Sequence, residues 1–216
     1  GKYIARDIKK SIHYFQISAN QNLTDSQFCL GMIYLYIERN IEKALKYLIL
    51  AANQNHSRAQ FQLGKIYFNG EYITEDINKF LYYLSLAADN NNSFAQYIIG
   101  FCYINNFYFP KDINKGMNLL HLSANKGNDY AQFSLGIIYS LKQNYQQNME
   151  EAIHYYKESS SMNNQYAKNN LAIIYRNGIK TKKNIWYAIE LLQEVVKLHD
   201  RISMYNLSHL YFYENG

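Results

Sequence analysis

Proline is almost missing from this chain, with one residue in 216, and glycine is scarce at ten. Those shortages exclude collagen-like and Pro-rich linker classes. Cysteine is equally sparse. Two residues, Cys29 and Cys102, are too few for a disulfide scaffold or a four-ligand zinc module. They read as small apolar residues of a reducing compartment, which predicts a cytoplasmic location. No apolar run approaches the length of a membrane span, so no membrane insertion is expected. The opening GKYIARDIKK has no apolar signal core and does not start with Met, which predicts a piece of a longer chain. HExxH, a Gly-rich phosphate loop and Gly-x-Ser-x-Gly are all missing. His13, His56, His121, His154, His199 and His209 are scattered, and neither a metal, a cofactor nor a catalytic residue is expected from them. The basic surplus is small, 22 Lys and Arg against 17 Asp and Glu. A basic run at Arg176, Lys180, Lys182 and Lys183 reads as a solvated loop, with no extended stripe to suggest nucleic acid.

What the chain has in quantity is 23 Tyr, 26 Asn and 48% apolar residues. The apolar share argues for a folded protein. The Tyr and Asn excess is partly a matter of position, because the chain repeats itself. CLGMIY, QLGKIY, IIGFCY, SLGIIY, NLAIIY and NLSHLY are six versions of one phrase. Their small residue falls at Gly31, Gly64, Gly100, Gly136, Ala172 and Ser208, a first step of 33 residues followed by four of 36. A Tyr follows three places later, at Tyr34, Tyr67, Tyr103, Tyr139, Tyr175 and Tyr211. Another small residue stands five places earlier, at Ser26, Ala59, Ala95, Ala131, Ala167 and Ser203. A fixed period of this length is the signature of a repeat architecture.

Small–x4–Gly–x2–Tyr follows the 3.6-residue period, so the phrase predicts a helix, called A here. Gly weakens a helix by about 1 kcal/mol relative to Ala. Its recurrence predicts close approach of a neighbouring helix. A second helix, B, is predicted to start after the N-caps Asp7, Asn40, Asp76, Asp112, Asn148 and Asn184, whose side-chain oxygens can accept from free first-turn N–H groups. It runs to small pairs such as Ala51-Ala52, Ala87-Ala88, Ser123-Ala124 and Ser159-Ser160. Asn22, Asn55, Asn91, Gly127 and Asn163 then occupy the left-handed position past the helix end. Thr24, Ser57, Ser93 and Asp129 are expected to cap the next helix A. A loop of about six to nine residues should join A to B. Neither helix can bury its apolar stripe alone, so the units must stack.

The second half reads Asp-x2-Lys-Ala-x2-Tyr-x3-Ala-Ala in its best copies. With AQFQLGKIYFNGEYITEDINKFLYYLSLAADNN at 59–91 and IEKALKYLILAANQN at 41–55, the pattern resembles the Sel-one-like repeat family, a relative of the tetratricopeptide repeats. Ala172 and Ser208 in place of Gly, and the 185–187 and 194–196 stretches, depart from that pattern. The resemblance implies an all-α, right-handed α-solenoid of stacked antiparallel helix pairs. The predicted organisation is a single array over 1–216, cut from a longer one, with units near 1–22 (partial), 23–55, 56–91, 92–127, 128–163, 164–199 and 200–216 (partial). The family further implies a scaffold or adaptor role in protein assembly and signalling, with some members joined to an enzyme domain such as a kinase.

In the related tetratricopeptide repeats the concave face is lined by helix A positions three before, one after and four after the Gly. Carried over, the first column is Phe28, Phe61, Tyr97, Phe133, Asn169 and Tyr205. The second is Met32, Lys65, Phe101, Ile137, Ile173 and His209. The third is Leu35, Phe68, Ile104, Ser140, Arg176 and Phe212. One reading is an aromatic groove that grips a peptide or a partner protein. The other is packing of the first column against the next unit. Lys65 and Arg176, charged among apolar neighbours, are the expected exposed contacts. The reading that results is a non-enzymatic protein-interaction scaffold whose partner-binding candidates are Phe28, Phe61, Lys65, Phe68, Tyr97, Phe101, Ile104, Phe133, Ile137 and Arg176. Its rivals are a regulatory arm of an enzyme such as a kinase whose catalytic domain lies elsewhere, a structural spacer, and an enzyme.

Overall fold

The computed structural model describes residues 7–141 and 148–213. Twelve α-helices of 12 or 13 residues, and no strand, occur among them. They are α1 (Ile8–Asn20), α2 (Thr24–Tyr36), α3 (Ile41–Asn53), α4 (Ser57–Asn69), α5 (Ile77–Asp89), α6 (Ser93–Asn105), α7 (Ile113–Ala124), α8 (Asp129–Ser140), α9 (Met149–Ser161), α10 (Gln165–Asn177), α11 (Ile185–Val196) and α12 (Arg201–Tyr213). Even-numbered helices carry the A phrase and odd-numbered ones are B. The chain divides into two compact units, Gly1–Ile99 and Gly100–Gly216. In the first, α1 packs on α2, α2 on α3, α3 on α4 and α4 on α5; in the second, consecutive helices from α7 through α12 pack in the same way, and α8 also touches α10. This is the stacked helix-pair arrangement that the period demanded.

The predicted B caps hold. Asp7, Asn40, Asp76, Asp112, Asn148 and Asn184 each accept the N–H three residues on. The N–H of Asn40, Asp76, Asp112 and Asn184 in turn donates to the carbonyl of the phrase tyrosine, Tyr34, Tyr67, Tyr103 and Tyr175, at 2.8–3.1 Å. These four A helices are thereby each clasped to the start of their own B helix. Left-handed backbone occurs at Asn22, Asn55, Asn91, Gly127 and Asn163, as expected, and at His199 in the sixth turn.

The A caps differ from expectation by one residue. Thr24, Ser57, Ser93 and Asp129 are already helical. The cap is the residue before. His56 accepts the Ala59 N–H through Nδ1 at 3.1 Å, and Asn92, Asn128 and Asn164 accept those of Ala95, Ala131 and Ala167. Leu23 has no capping side chain. The A–B connections are also more variable than expected. Residues 37–40 make the first, 70–76 the second and 106–112 the third. The three-residue shortfall of the first accounts for the 33-residue step.

The phrase glycines do serve close approach, with one exception. A Cβ at Gly100 would lie 2.9 Å from the Gly116 carbonyl, and one at Gly136 would lie 2.6 Å from the Tyr156 ring. At Gly64 the nearest foreign atom is 3.6 Å away, which is ordinary contact. The phrase leucines form the driest part of each core, with Leu30, Leu63, Leu135 and Leu171 fully buried.

A polar ladder runs through the same cores. Four residues before the small residue, Gln27, Gln60, Gln96 and Gln132 are buried. Their amides donate to the carbonyls of Ala19, Ala52, Ala88 and Ala124, the tail of the preceding B helix, at 3.0–3.4 Å. A buried amide must be satisfied on both sides. Gln54 Nε2 donates to Gln27 Oε1 at 2.7 Å, and Asn90 Nδ2 to Gln60 Oε1 at 3.1 Å. Gln132 Oε1 has no partner, because the residue equivalent to Gln54 and Asn90 is Met162. In the next copy Lys168 replaces the glutamine and pairs with Glu194 at 2.5 Å and Asn163 at 2.9 Å. That contact, together with its Coulomb attraction, holds the Glu194 carboxyl below the usual range.

Candidate functional site: clefts between neighbouring A helices

Where two A helices lie side by side, the C-terminal half of one faces the middle of the next. Positions four and five after the small residue of one copy meet positions two before, one after and two after it in the following copy. A cleft forms at this register three times among the described residues. In the first unit it is bounded by Tyr36, Gln62, Lys65, Ile66, Asn69, Glu71 and Tyr72, with a volume of about 40 Å³. Gln62 donates to the Tyr36 hydroxyl across it at 2.8 Å. In the second unit Ser134 stands where Gln62 stood, and the cleft opens to about 180 Å³ between Phe101, Ile104, Ile137, Ile138 and Leu141. One copy further it widens to about 320 Å³, walled by Ile173, Ile174 and Ile179 and floored by Met149 and Tyr156. Burial pushes the Tyr156 hydroxyl upward in pKa against the opposing bonds from Ser140 and Asn170. It therefore remains a neutral group beneath an apolar mouth.

The structure sorts the sequence candidates into two sets. Phe101, Ile104 and Ile137 come together in one cleft, Lys65 lines the smallest, and Phe101 keeps 41% of its surface exposed. Phe68 is 44% exposed, with its ring 4.8 Å from Phe80. The column three before the small residue is a packing column instead. Phe28 is buried, stacked on His56 at 4.6 Å with the Arg58 guanidinium 4.8 Å from its ring. It presents almost no surface to a partner. Phe61 stacks on Phe94 at 6.0 Å and Phe133 meets Tyr166 at 5.7 Å. Tyr97 is half-buried. Arg176 corrects another expectation: it is half-buried and its guanidinium donates to His209 Nδ1 at 2.8 Å.

Sequence reasoning missed the outer partners of that packing. Arg58, Phe94, Tyr130 and Tyr166 stand six before the small residue, and the last three are about half exposed. Their spacing of 36 was there to be read. Among the described residues no group of three His, Cys, Asp or Glu side chains could hold a metal ion, and no helix is long and apolar enough to cross a membrane. Cys29 and Cys102 are free thiols, both raised in pKa chiefly by burial.

No curated protein sequence matches the chain. Among solved structures it is similar to a Sel1 repeat protein of Oxalobacter formigenes, with a TM-score of 0.83 and 23% identity over 96% of this chain and 61% of that one. It is also similar to a protective antigen of uropathogenic Escherichia coli that displays an SLR fold, with a TM-score of 0.81 and 21% identity over 94% of this chain and 44% of that one. A more distant likeness, with a TM-score of 0.53 and 19% identity over 89% of this chain and 73% of that one, is to an immunity protein of Pseudomonas aeruginosa. The chain thus spans about half the length of the first two. These likenesses establish the α-solenoid fold. The Sel1 repeat model matches residues 1–23, 24–56, 57–92, 93–128, 129–164, 165–194 and 201–216. The seven matched stretches, phased with the observed helix pairs, place the chain in the Sel1 repeat family, whose members are generally non-catalytic scaffolds that bind proteins.

Proposed function

We propose that this chain is a non-enzymatic adaptor whose A helices receive a segment of a partner protein in the clefts between them. The observation that carries the reading is the recurrence of one cleft at one register, with walls that stay apolar and partly exposed in the C-terminal unit. Phe101, Ile104, Ile137 and Ile173 are the residues assigned to contact. Their helices are already packed and capped, so the partner alone loses conformational freedom on docking. Each aliphatic side chain moved from water into such a cleft contributes roughly 1.5–3 kcal/mol. Neighbouring packed helices are about 8–10 Å apart. Two apolar anchors three residues apart on an extended segment match that distance at about 3.3 Å per residue, as do two anchors seven apart on a helix at about 1.5 Å per residue.

The test is selection of a displayed random dodecapeptide library on the immobilised protein, repeated on the F101E/I173E variant. Both positions are about two-fifths exposed, so the variant is expected to fold, which circular dichroism checks. Enrichment of peptides with paired apolar residues, lost on the variant, is the expected result. Enrichment that survives in a folded variant overturns the assignment.

A further inference from the structure

The basic run found in the sequence gains a place beside the clefts. Ile179 walls the widest of them, and Lys180 follows directly in the 178–184 connection. Gly178, at φ +66°, turns the chain so tightly that the Lys183 Cβ lies 3.3 Å from where a side chain on the glycine would begin. Lys180, Lys182 and Lys183 are all exposed, and Lys111 is exposed in the 106–112 connection. Among the described residues of the C-terminal unit, the only acid in these A–B connections is Asp112, whose side chain is committed to capping α7. The same connections in the N-terminal unit carry the opposite sign: Glu38, Glu71, Glu75 and Asp76 against Arg39. Of the helices that form these clefts, α6 has no charged residue, α8 has only Asp129, at its far end, and α10 adds Lys168 and Arg176; the acids are on α9, where Glu150 and Glu151 follow Met149 in the first turn and Glu158 stands further on.

From this charge complementarity we infer that the C-terminal clefts take an acidic protein segment, in which two apolar anchors are followed or interrupted by Asp or Glu. The inference rests on the adaptor reading and names the partner chemistry for it. The isoleucines hold the anchors, and the lysines of the 178–184 connection and Lys111 meet the carboxylates. Exposed charges of this kind act over about 10 Å at moderate salt and mainly accelerate and orient docking. A nucleic acid would also answer to the lysines, and Phe101 stacked on the exposed Phe107 at 6.3 Å offers a base a platform near Lys111; the widest cleft, beside the three lysines, has isoleucine walls and no exposed aromatic ring among its lining residues.

The experiment compares the composition of the selected dodecapeptides and then measures the best binder by fluorescence anisotropy. The expected result has four parts. The enriched peptides carry a surplus of Asp and Glu around the apolar pair. Affinity falls on raising the salt. K180E/K182E/K183E weakens the acidic peptide by about tenfold or more, in line with loss of complementary charge. Selection on that variant turns the surplus toward Lys and Arg. Enriched apolar pairs without an acidic surplus, or an unchanged affinity for the triple variant, overturn this inference and leave the adaptor reading standing. Binding that persists on F101E/I173E overturns the adaptor reading and this inference with it, as does a library that yields no binder. Tighter binding of an oligothymidylate than of the best acidic peptide, lost in the triple variant, overturns the inference in favour of a nucleic-acid role for the loop.

Discussion

At the scale of single residues, the buried glutamine ladder shows how a repeat can carry a local fault. Gln27 and Gln60 have both ends of their amides satisfied, while the Gln132 carbonyl oxygen is buried without a partner opposite Met162. Met162 is 56% exposed, so a polar side chain of the same length has room to turn inward. Met162→Gln supplies the missing donor in the geometry that Gln54 already uses. A hydrogen bond that relieves a buried orphan is worth about 1 kcal/mol, so the denaturant midpoint should rise by that equivalent at constant m-value. A midpoint that falls or stays put would mean that the amide already has another satisfied state. The ladder was present in the sequence as Gln27, Gln60, Gln96 and Gln132, next to the small column. It went unread because a polar residue on a helix usually marks the solvent face, and only packing reveals that this one points inward.

Among whole elements, the interface of α7, α8 and α9 centres on His121. Its Nδ1 lies 3.1 Å from the Tyr155 hydroxyl and its Nε2 3.3 Å from that of Tyr139, with those two rings stacked at 5.8 Å. Glu151 is the charged group acting on it. Desolvation lowers the imidazole pKa, and the Glu151 carboxylate only partly opposes this. The fold therefore favours the neutral ring. That preference contributes fully above the unfolded value near 6.5 and is lost as pH falls through the lower folded value. His121→Gln keeps a donor and an acceptor but cannot titrate. The stability gap between wild type and variant should shrink on going from pH 7.5 to pH 5, read by chemical denaturation at each pH; a constant or widening gap refutes the account. Elements were otherwise the most legible level. A cap needs only one side chain and the turn after it only one left-handed residue, so the six caps like Asp76 and the five turn residues like Asn91 announce themselves, while His199 in the sixth turn does not. The A caps slipped by one because Ser57 and Asp129 are good cap types that stand at the first helical position, while His56 is an unusual cap that nothing in the pattern flags. The clefts could not be read at all, since their width depends on how neighbouring A helices pack: Gln62 reaches across the narrowest, yet the widest forms with Asn170 at the same position and not with the smaller Ser134.

For the molecule as a whole, the helices are nearly constant in length and the connections are not. The B–A turns are locked: residues 54–56 hold a left-handed Asn55 and the Gln54 amide, which bonds Gln27 and Asn22. Among the A–B connections described throughout, length varies from the four residues of 37–40 to the seven of 70–76, yet the helices on either side keep the same clasp between tyrosine carbonyl and cap N–H. A short Gly–Ser insert between Thr181 and Lys182 should therefore cost little, because doubling a loop costs only about 0.6 kcal/mol in closure entropy. The same insert between Gln54 and Asn55 breaks the turn and the ladder together and should cost several times more. Paired urea titrations decide it, and equal losses would show that both edges are equally rigid.

The clasp has one more consequence. It fixes where each B helix begins irrespective of what lies between, so residues can be gained or lost on that edge without rephasing anything behind it. A lineage of such chains could remodel its recognition rim by insertion, copy by copy, while the load-carrying stack stayed unaltered. The three residues missing between Gly31 and Gly64 are the visible trace of that freedom.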